Sequence, residues 1–286
     1  MNKITSMKID AIKKIAVNGT ELNYIESGKG TPLIFVHGSL GDFNTFNQQF
    51  KSFSEHYHII AYSRRFHPPN KLSINDKIYS MAQQVEDLAS LITNLNLPSV
   101  HIIASSYGAY TSLILTLKYP SLVRTLTLGE PPLLPLLTTL PEGEAILNSF
   151  MKNVLIPCKK AFMSGDKEDG IRTFIDGIRS PGNFDQISIE GRRELMKNAD
   201  TMSLEMLTNP ELYFIYVNNN QLNEIKVPVL IVNGEKSPAF LHKISEILEA
   251  EIPNNQVTTI TNAGHSMYRD NSKEFNQKVL NFLSKH

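Results

Sequence analysis

The chain has no tryptophan and a single cysteine, Cys158, among its 286 residues. One cysteine excludes an internal disulfide and fits a reducing compartment, so a cytoplasmic location is the expectation. Neither charge is in excess: 28 lysines and arginines balance 28 aspartates and glutamates. Such a balance gives no electrostatic footprint for nucleic acid or for an anionic membrane. No run approaches the ~20 apolar residues needed to span a bilayer. The opening MNKITSMKID lacks an apolar core of signal-peptide length. No grouping of cysteine and histidine has metal-ligand spacing, and there is no internal repeat or low-complexity tract. What is present is a globular composition, 41% hydrophobic, long enough for one α/β domain with an insertion or for two small domains.

The most informative stretch is His101 to Tyr110, HIIASSYGAY. A short apolar run ends in two serines, then a tyrosine, a glycine and a helix-forming segment follow. A strand that turns sharply into a helix around a serine is a nucleophile elbow. The bend is strained, so the residues two before and two after the nucleophile must be small. Ser106 has Ala104 and Gly108 there, whereas Ser105 would have Ile103 and Tyr107. Ser106 is therefore the candidate nucleophile.

The remaining pattern supplies the context. Lys13–Val17 and Glu21–Glu26 alternate around Asn18-Gly19, which predicts a hairpin. Pro32–Val36 is continuously apolar, as in a strand buried on both faces. Helical spacing follows over Phe43–Phe53, then a strand at His58–Tyr62, a polar loop from Ser63 to Asp76 and a helix at Ile78–Leu95. Beyond the elbow a helix is expected over Ser106–Tyr119 and a strand over Val123–Leu128. From Pro131 to about Glu224 the segments are helical, with Asn148–Met163, Lys167–Ile178, Ile189–Met196 and Ser203–Leu207 as candidates. Strands return at Val227–Val232 and Gln256–Ile260, each followed by a helix, Pro238–Glu249 and Lys273–Ser284. Alternating strand and helix implies a doubly wound, mostly parallel sheet with a helical insertion.

Asn262-Ala263-Gly264-His265 follows the last strand. There a histidine can reach the elbow serine and act as its general base, its ordinary pKa near 6.5 suiting the task. His37-Gly38-Ser39 follows the central apolar strand. A tetrahedral intermediate needs backbone N–H donors. Those of Ser39 and Tyr107 are the candidates, and Gly38 lets the chain come close. His37 reads as a loop-ordering residue, because one histidine already fills the role of base.

The order of HGS, ASSYG, a helical insertion and AGH resembles the α/β-hydrolase superfamily over nearly the whole length, in particular its loosely characterised capped serine hydrolases. The resemblance implies an eight-stranded sheet, with core segments 1–130 and 225–286 and a cap over 131–224. It also implies a Ser-His-acid triad working without cofactor or metal. The family usually places an aspartate after the penultimate strand, where this chain reads Gly234-Glu235-Lys236-Ser237 with Ser237 at the acid position. Three possibilities stay open. Glu130 lies after the strand beyond the elbow helix, where some dehalogenases carry the acid. Glu235 lies in the usual loop but two residues early. The third is a Ser106–His265 dyad.

Dehalogenases and epoxide hydrolases of the family carry aspartate at the elbow, and dehalogenases hold halide with tryptophan. Serine at 106 favours acyl transfer to water, on an ester, thioester or lactone. The expected partner is a small-molecule acyl substrate, with no nucleic acid or membrane, and monomer and homodimer are both open. A carbon–carbon bond hydrolase and a non-turnover ligand sensor are the alternatives. Leu133, Leu134, Leu136, Leu137, Leu140, Phe150, Leu155 and Phe162 are candidates for cap packing or an acyl pocket. Arg64 and Arg65, in a basic turn where the family often has glycines, either bind a substrate carboxylate or pair with acids. Cys158 reads as a buried thiol.

Overall fold

The computed structural model describes residues 11–71 and 78–286. The opening decapeptide and the end of the Ser63–Asp76 loop lie outside the described residues. Strands β1 (Lys13–Val17) and β2 (Thr20–Ser27) form the expected hairpin. Asn18 and Gly19 at its tip both have positive φ, the requirement of a tight two-residue turn. Strands β3 (Pro32–Val36), β4 (His58–Tyr62), β5 (Val100–Ser105), β6 (Val123–Gly129), β7 (Val229–Gly234) and β8 (Asn255–Ile260) complete an eight-stranded sheet. Its order is β1-β2-β4-β3-β5-β6-β7-β8, and only the β1–β2 and β2–β4 pairings are antiparallel. The fold is the doubly wound, mostly parallel one that the alternation implied.

Period-two alternation sends successive residues to opposite faces. Ile34, Val36, Ile102 and Ala104 pack on one side, with helices α2 (Met81–Asn94) and α3 (Tyr107–Lys118). Leu33, Phe35 and Ile103 pack on the other, with α1 (Asn47–Ser54). Both faces of β3, β5 and β7 are buried, which is why these strands read as unbroken apolar runs. The helix expected over Phe43–Phe53 begins only at Asn47. Asp42 accepts from the Asn44 amide at 2.7 Å, and Thr45 Oγ1 accepts from the Asp42 amide at 3.1 Å. These local bonds hold turns in place of the first helical turn, while Phe43 and Phe46 stay buried.

Between β6 and β7 the described residues contain helices and no strand. The helix expected over Asn148–Met163 is interrupted: α4 (Gly143–Phe150) passes through a π-turn, Met151–Leu155, into α5 (Ile156–Met163). Pro157 lacks the amide that would continue the ladder there. Helices α6 (Lys167–Ile178), α7 (Asn183–Gln186), α8 (Ile189–Met196), α9 (Ala199–Leu207), α10 (Pro210–Tyr213) and α11 (Asn219–Asn223) follow. Cys158, Phe162, Ile171, Ile175, Phe184, Ala199 and Met202 give the insertion a small core of its own. Leu133, Leu134, Leu136 and Leu137 pack instead into the core beneath the sheet. Helices α12 (Ala239–Glu251), α13 (Met267–Asp270) and α14 (Ser272–Leu283) close the chain. No helix among the described residues is long and apolar enough to cross a membrane.

Candidate active site

Ser106 occupies the single step between β5 and α3, at φ 55° and ψ −128°. L-residues rarely adopt this region, and it persists only where its surroundings impose it. The imposition is visible. The Ser106 amide donates to Gly129 O at 2.7 Å, and its carbonyl accepts from the Tyr110 amide at 3.0 Å. Ser105 is an ordinary strand residue, paired with Gly129 and buried. A Cβ on Gly108 would lie 2.3 Å from His37 O and 2.5 Å from Val36 O, so α3 can start against the end of β3 only with glycine there. A Cβ on Gly38 would lie 2.9 Å from the Ser106 Cβ. The spacing rule for small residues therefore has a concrete cause, which is backbone packed against backbone.

Glu130 stands one residue beyond β6, fully buried and at φ 48°. Its Oε1 accepts from the Gly234 amide at 2.8 Å, and its Oε2 meets His265 Nδ1 at 2.7 Å. An ionised carboxylate only accepts, so Nδ1 carries the proton and Nε2 is left as the basic nitrogen of His265. Glu235 is elsewhere: its exposed carboxylate accepts from the Asn262 amide at 2.7 Å and steadies the loop that carries the histidine. Ser237 offers no acid, and its buried Oγ has no hydrogen-bond partner among the described residues.

Ser39, Ser106 and His265 line one cavity of about 210 Å³. Of the apolar residues singled out in the sequence, Leu134, Phe150 and Leu155 reach it, while Leu133, Leu136, Leu137 and Phe162 are spent on packing and Leu140 lies against the sheet-side core. Phe214, Phe240 and Leu241 complete much of the wall. Tyr107 opens α3, so its N–H is among the amides without an intrahelical acceptor. Ser39 is buried at the cavity edge, and Tyr213 lines the same cavity. A smaller recess of about 70 Å³ on the same two residues, Ser106 and His265, is more polar and includes Arg179 and Arg269. Arg179 donates to Ser266 Oγ at 2.6 Å and so ties the insertion to the residue beside His265. Among the described residues no cluster of His, Cys, Asp and Glu has the makings of a metal site.

A family model for the alpha/beta hydrolase fold matches residues 31–272. The chain belongs to the α/β hydrolase fold family. This α/β hydrolase is 27% identical over 141 residues to the uncharacterized hydrolase YraK of Bacillus subtilis, a match spanning 49% of this chain and 52% of that protein, about half of each. It is 25% identical over 274 residues to a putative esterase/lipase of Haemophilus influenzae, with 93% of this chain and 89% of that one covered. Among solved structures, carboxylesterase CesB of Bacillus subtilis superposes with a TM-score of 0.74 at 19% identity, covering 98% of this chain and 93% of that one. An epoxide hydrolase of Bacillus megaterium gives 0.74 at 22%, covering 95% and 100%. Two different chemistries thus share the hydrolase's fold equally well, and only its site residues separate them.

One part of the hydrolase site was not legible in the sequence. Arg64 is fully buried rather than lying on the surface. Its Nε donates to His37 O at 3.0 Å and its Nη2 to Gly38 O at 3.2 Å, so it grips the loop that leads to Ser39. Its Nη1 donates to the Tyr79 hydroxyl, and its Nη2 also reaches Glu205 on α9 at 3.4 Å. Burial works against the charge, but Tyr79 and Glu205 outweigh it and raise the guanidinium pKa further. His37 Nε2 accepts from the Arg64 amide at 2.9 Å, and its Nδ1 lies 2.8 Å from Gly38 O. The ring is therefore neutral and braces the loop. Burial, then His67 and Arg64, hold its pKa well below the usual value. Arg65 binds Asp87 with both Nε and Nη2 at 2.6 Å. Both arginines thus pair with acids of the protein. Nothing in the spacing of the sequence links Arg64 to Glu205, 141 positions away.

Proposed function

We propose that this α/β hydrolase cleaves a carboxylic ester, or a related thioester or lactone, through an acyl intermediate on Ser106. The observation that carries the reading is the buried Glu130–His265 contact at 2.7 Å, which leaves Nε2 as a base in the cavity lined by Ser106. His265 takes the Ser106 proton as Oγ attacks the acyl carbon. The backbone N–H groups of Ser39 and Tyr107 receive the oxyanion. The imidazolium, stabilised by Glu130, returns its proton to the leaving alcohol as the carbon–oxygen bond breaks. A water, deprotonated by the same ring, then releases the acid and restores the serine. The apolar cavity suits a small or medium hydrophobic acyl group.

Serine at the elbow argues against epoxide opening, which in this family uses aspartate there. The esterase/lipase name of the Haemophilus relative and the carboxylesterase structure point the same way. The test is turnover of p-nitrophenyl butyrate together with labelling by a fluorophosphonate. Both are expected in the wild-type enzyme and both are expected to vanish in Ser106→Ala. Undiminished turnover in that variant, or turnover only of vinylogous diketones, would sink the proposal.

A further inference from the structure

Two arginines without a counter-charge line the small polar recess that Ser106 and His265 share. Arg179, the residue after α6, is half-buried, and Arg269, on α13, is exposed. Arg179 Nη2 donates to Ser266 Oγ at 2.6 Å, which holds the guanidinium beside His265. Its other side-chain N–H groups meet no acceptor among the described residues, although a guanidinium carries five such donors. The Arg269 amide donates to Ser266 O at 2.7 Å, so its side chain rises from the turn that follows the same histidine. Among the described residues neither guanidinium forms an ion pair, whereas Arg64, Arg65, Arg172 and Arg192 each do.

The recess opens outward. It continues into a wider cleft of about 350 Å³ whose wall includes the same two arginines. Asp42 and Glu194 line that outer part, and both have partners already: Glu194 pairs with Lys197 at 2.6 Å, and Asp42 accepts from the Asn44 amide at 2.7 Å. None of the described residues lining the inner recess is acidic. An anion entering from solvent therefore meets rising positive potential as it approaches Ser106.

The recess and the apolar cavity meet at Ser39, Ser106 and His265 and differ in kind. A hydrophobic acyl chain belongs in the apolar one. The leaving group is left with the recess, beside the ring that returns a proton to it. Arginine's planar fork matches a carboxylate in shape and in charge. We infer that this hydrolase prefers esters whose leaving alcohol carries a carboxylate, and that Arg179 and Arg269 are the specificity-determining residues that hold it. The bond that breaks is the same acyl carbon–oxygen bond, and the alcohol departs with the proton from His265 and its carboxylate unchanged.

The inference rests on the acyl-transfer reading above, and one experiment separates the two. Carboxymethyl butyrate and 3-carboxyphenyl butyrate are compared with their neutral isosteres, carbamoylmethyl butyrate and 3-carbamoylphenyl butyrate, by release of butyrate. The acyl group is constant, so the ratio of kcat/KM, carboxylate over carboxamide, reports the leaving-group site alone. At least one pair is expected to give a ratio of about fivefold or more in the wild-type enzyme. Arg179→Gln is expected to lower that ratio by at least about threefold, and Arg269→Gln to lower it less, because its exposed charge is screened. The ratio is internal to each protein, so a general loss of activity does not imitate the effect. Ratios below about two for both pairs in the wild-type enzyme, or a ratio that survives unchanged in Arg179→Gln, overturn the role of the arginines and leave the esterase reading standing. No butyrate from any of the four esters, with Ser106 unlabelled by fluorophosphonate, overturns both.

Discussion

Glu130 and His265 meet at 2.7 Å although 135 positions separate them, and the carboxylate reaches across the end of β7 to do so. Its second oxygen is held by the amide of Gly234, the last residue of that strand. A glutamate one residue beyond β6 thereby reaches the loop after β7, where the sequence has Ser237 at the position the family usually gives to an aspartate.

Removing the charge of Glu130 while keeping its shape is expected to be severe. Glu130→Gln should lower kcat for p-nitrophenyl butyrate by roughly 10²–10⁴-fold with little change in KM, by analogy with triads that lose their acid. Glu235→Gln, on an exposed side chain that touches only a backbone amide, should stay within about twofold of wild type. Steady-state kinetics on the two variants decide the matter, and a severe loss in Glu235→Gln with little loss in Glu130→Gln would move the acid to position 235.

Gly108→Ala drives a methyl group into the carbonyls of His37 and Val36. Backbone atoms cannot swing aside as a side chain would, so α3 must shift away from β3 and carry Ser106 with it. The expected cost is about 1–3 kcal/mol in urea denaturation, accompanied by a drop in kcat. An alanine variant of unchanged stability and activity would contradict the packing described.

Three buried histidines give the stability a defined pH dependence. Burial first, and then neighbouring positive groups, lower the pKa of His37 and His67, and they bring His101 down to about 4. The unfolded chain protonates these rings near pH 6.5, where the folded protein keeps them neutral. The unfolded state therefore binds more protons below that pH, and stability rises with pH across the window. Their contribution is full above about pH 6.5 and is lost progressively towards pH 4. Urea midpoints at pH 7.5, 6 and 5 should fall in that order, and His101→Asn should flatten the slope.

Cys158 should be silent in the native protein. It is buried, its thiol donates to Gly170 O at 3.3 Å, and burial pushes its pKa up to about 12. Thiolate is the reactive form, so Ellman's reagent should titrate one thiol only after denaturation. Prompt native labelling would place the cysteine at the surface.

Periodicity carried most of the architecture. The strands at Lys13–Val17, Pro32–Val36 and His58–Tyr62 and the helices at Lys167–Ile178 and Ile189–Met196 are where apolar spacing puts them. Side chains overrode it locally. Asp42 and Thr45 replaced the start of a helix with turns, and Pro157 forced a π-turn inside another. The elbow was legible because its chemistry is local: Ala104, Ser106 and Gly108 sit within five positions, and the steric demand acts at that range.

The linear order of residues was enough to determine the sheet, the sharp turn at Ser106 and the loop that carries His265, since backbone sterics and hydrophobic spacing act between near neighbours. Which carboxylate faces the imidazole, and that Arg64 is sealed inside against a glutamate from the insertion, was decided only by tertiary structure. Those contacts join groups more than a hundred positions apart. Hydrogen-bond geometry at 2.7 Å depends on how strands and helices finally pack, and no spacing along the chain encodes it.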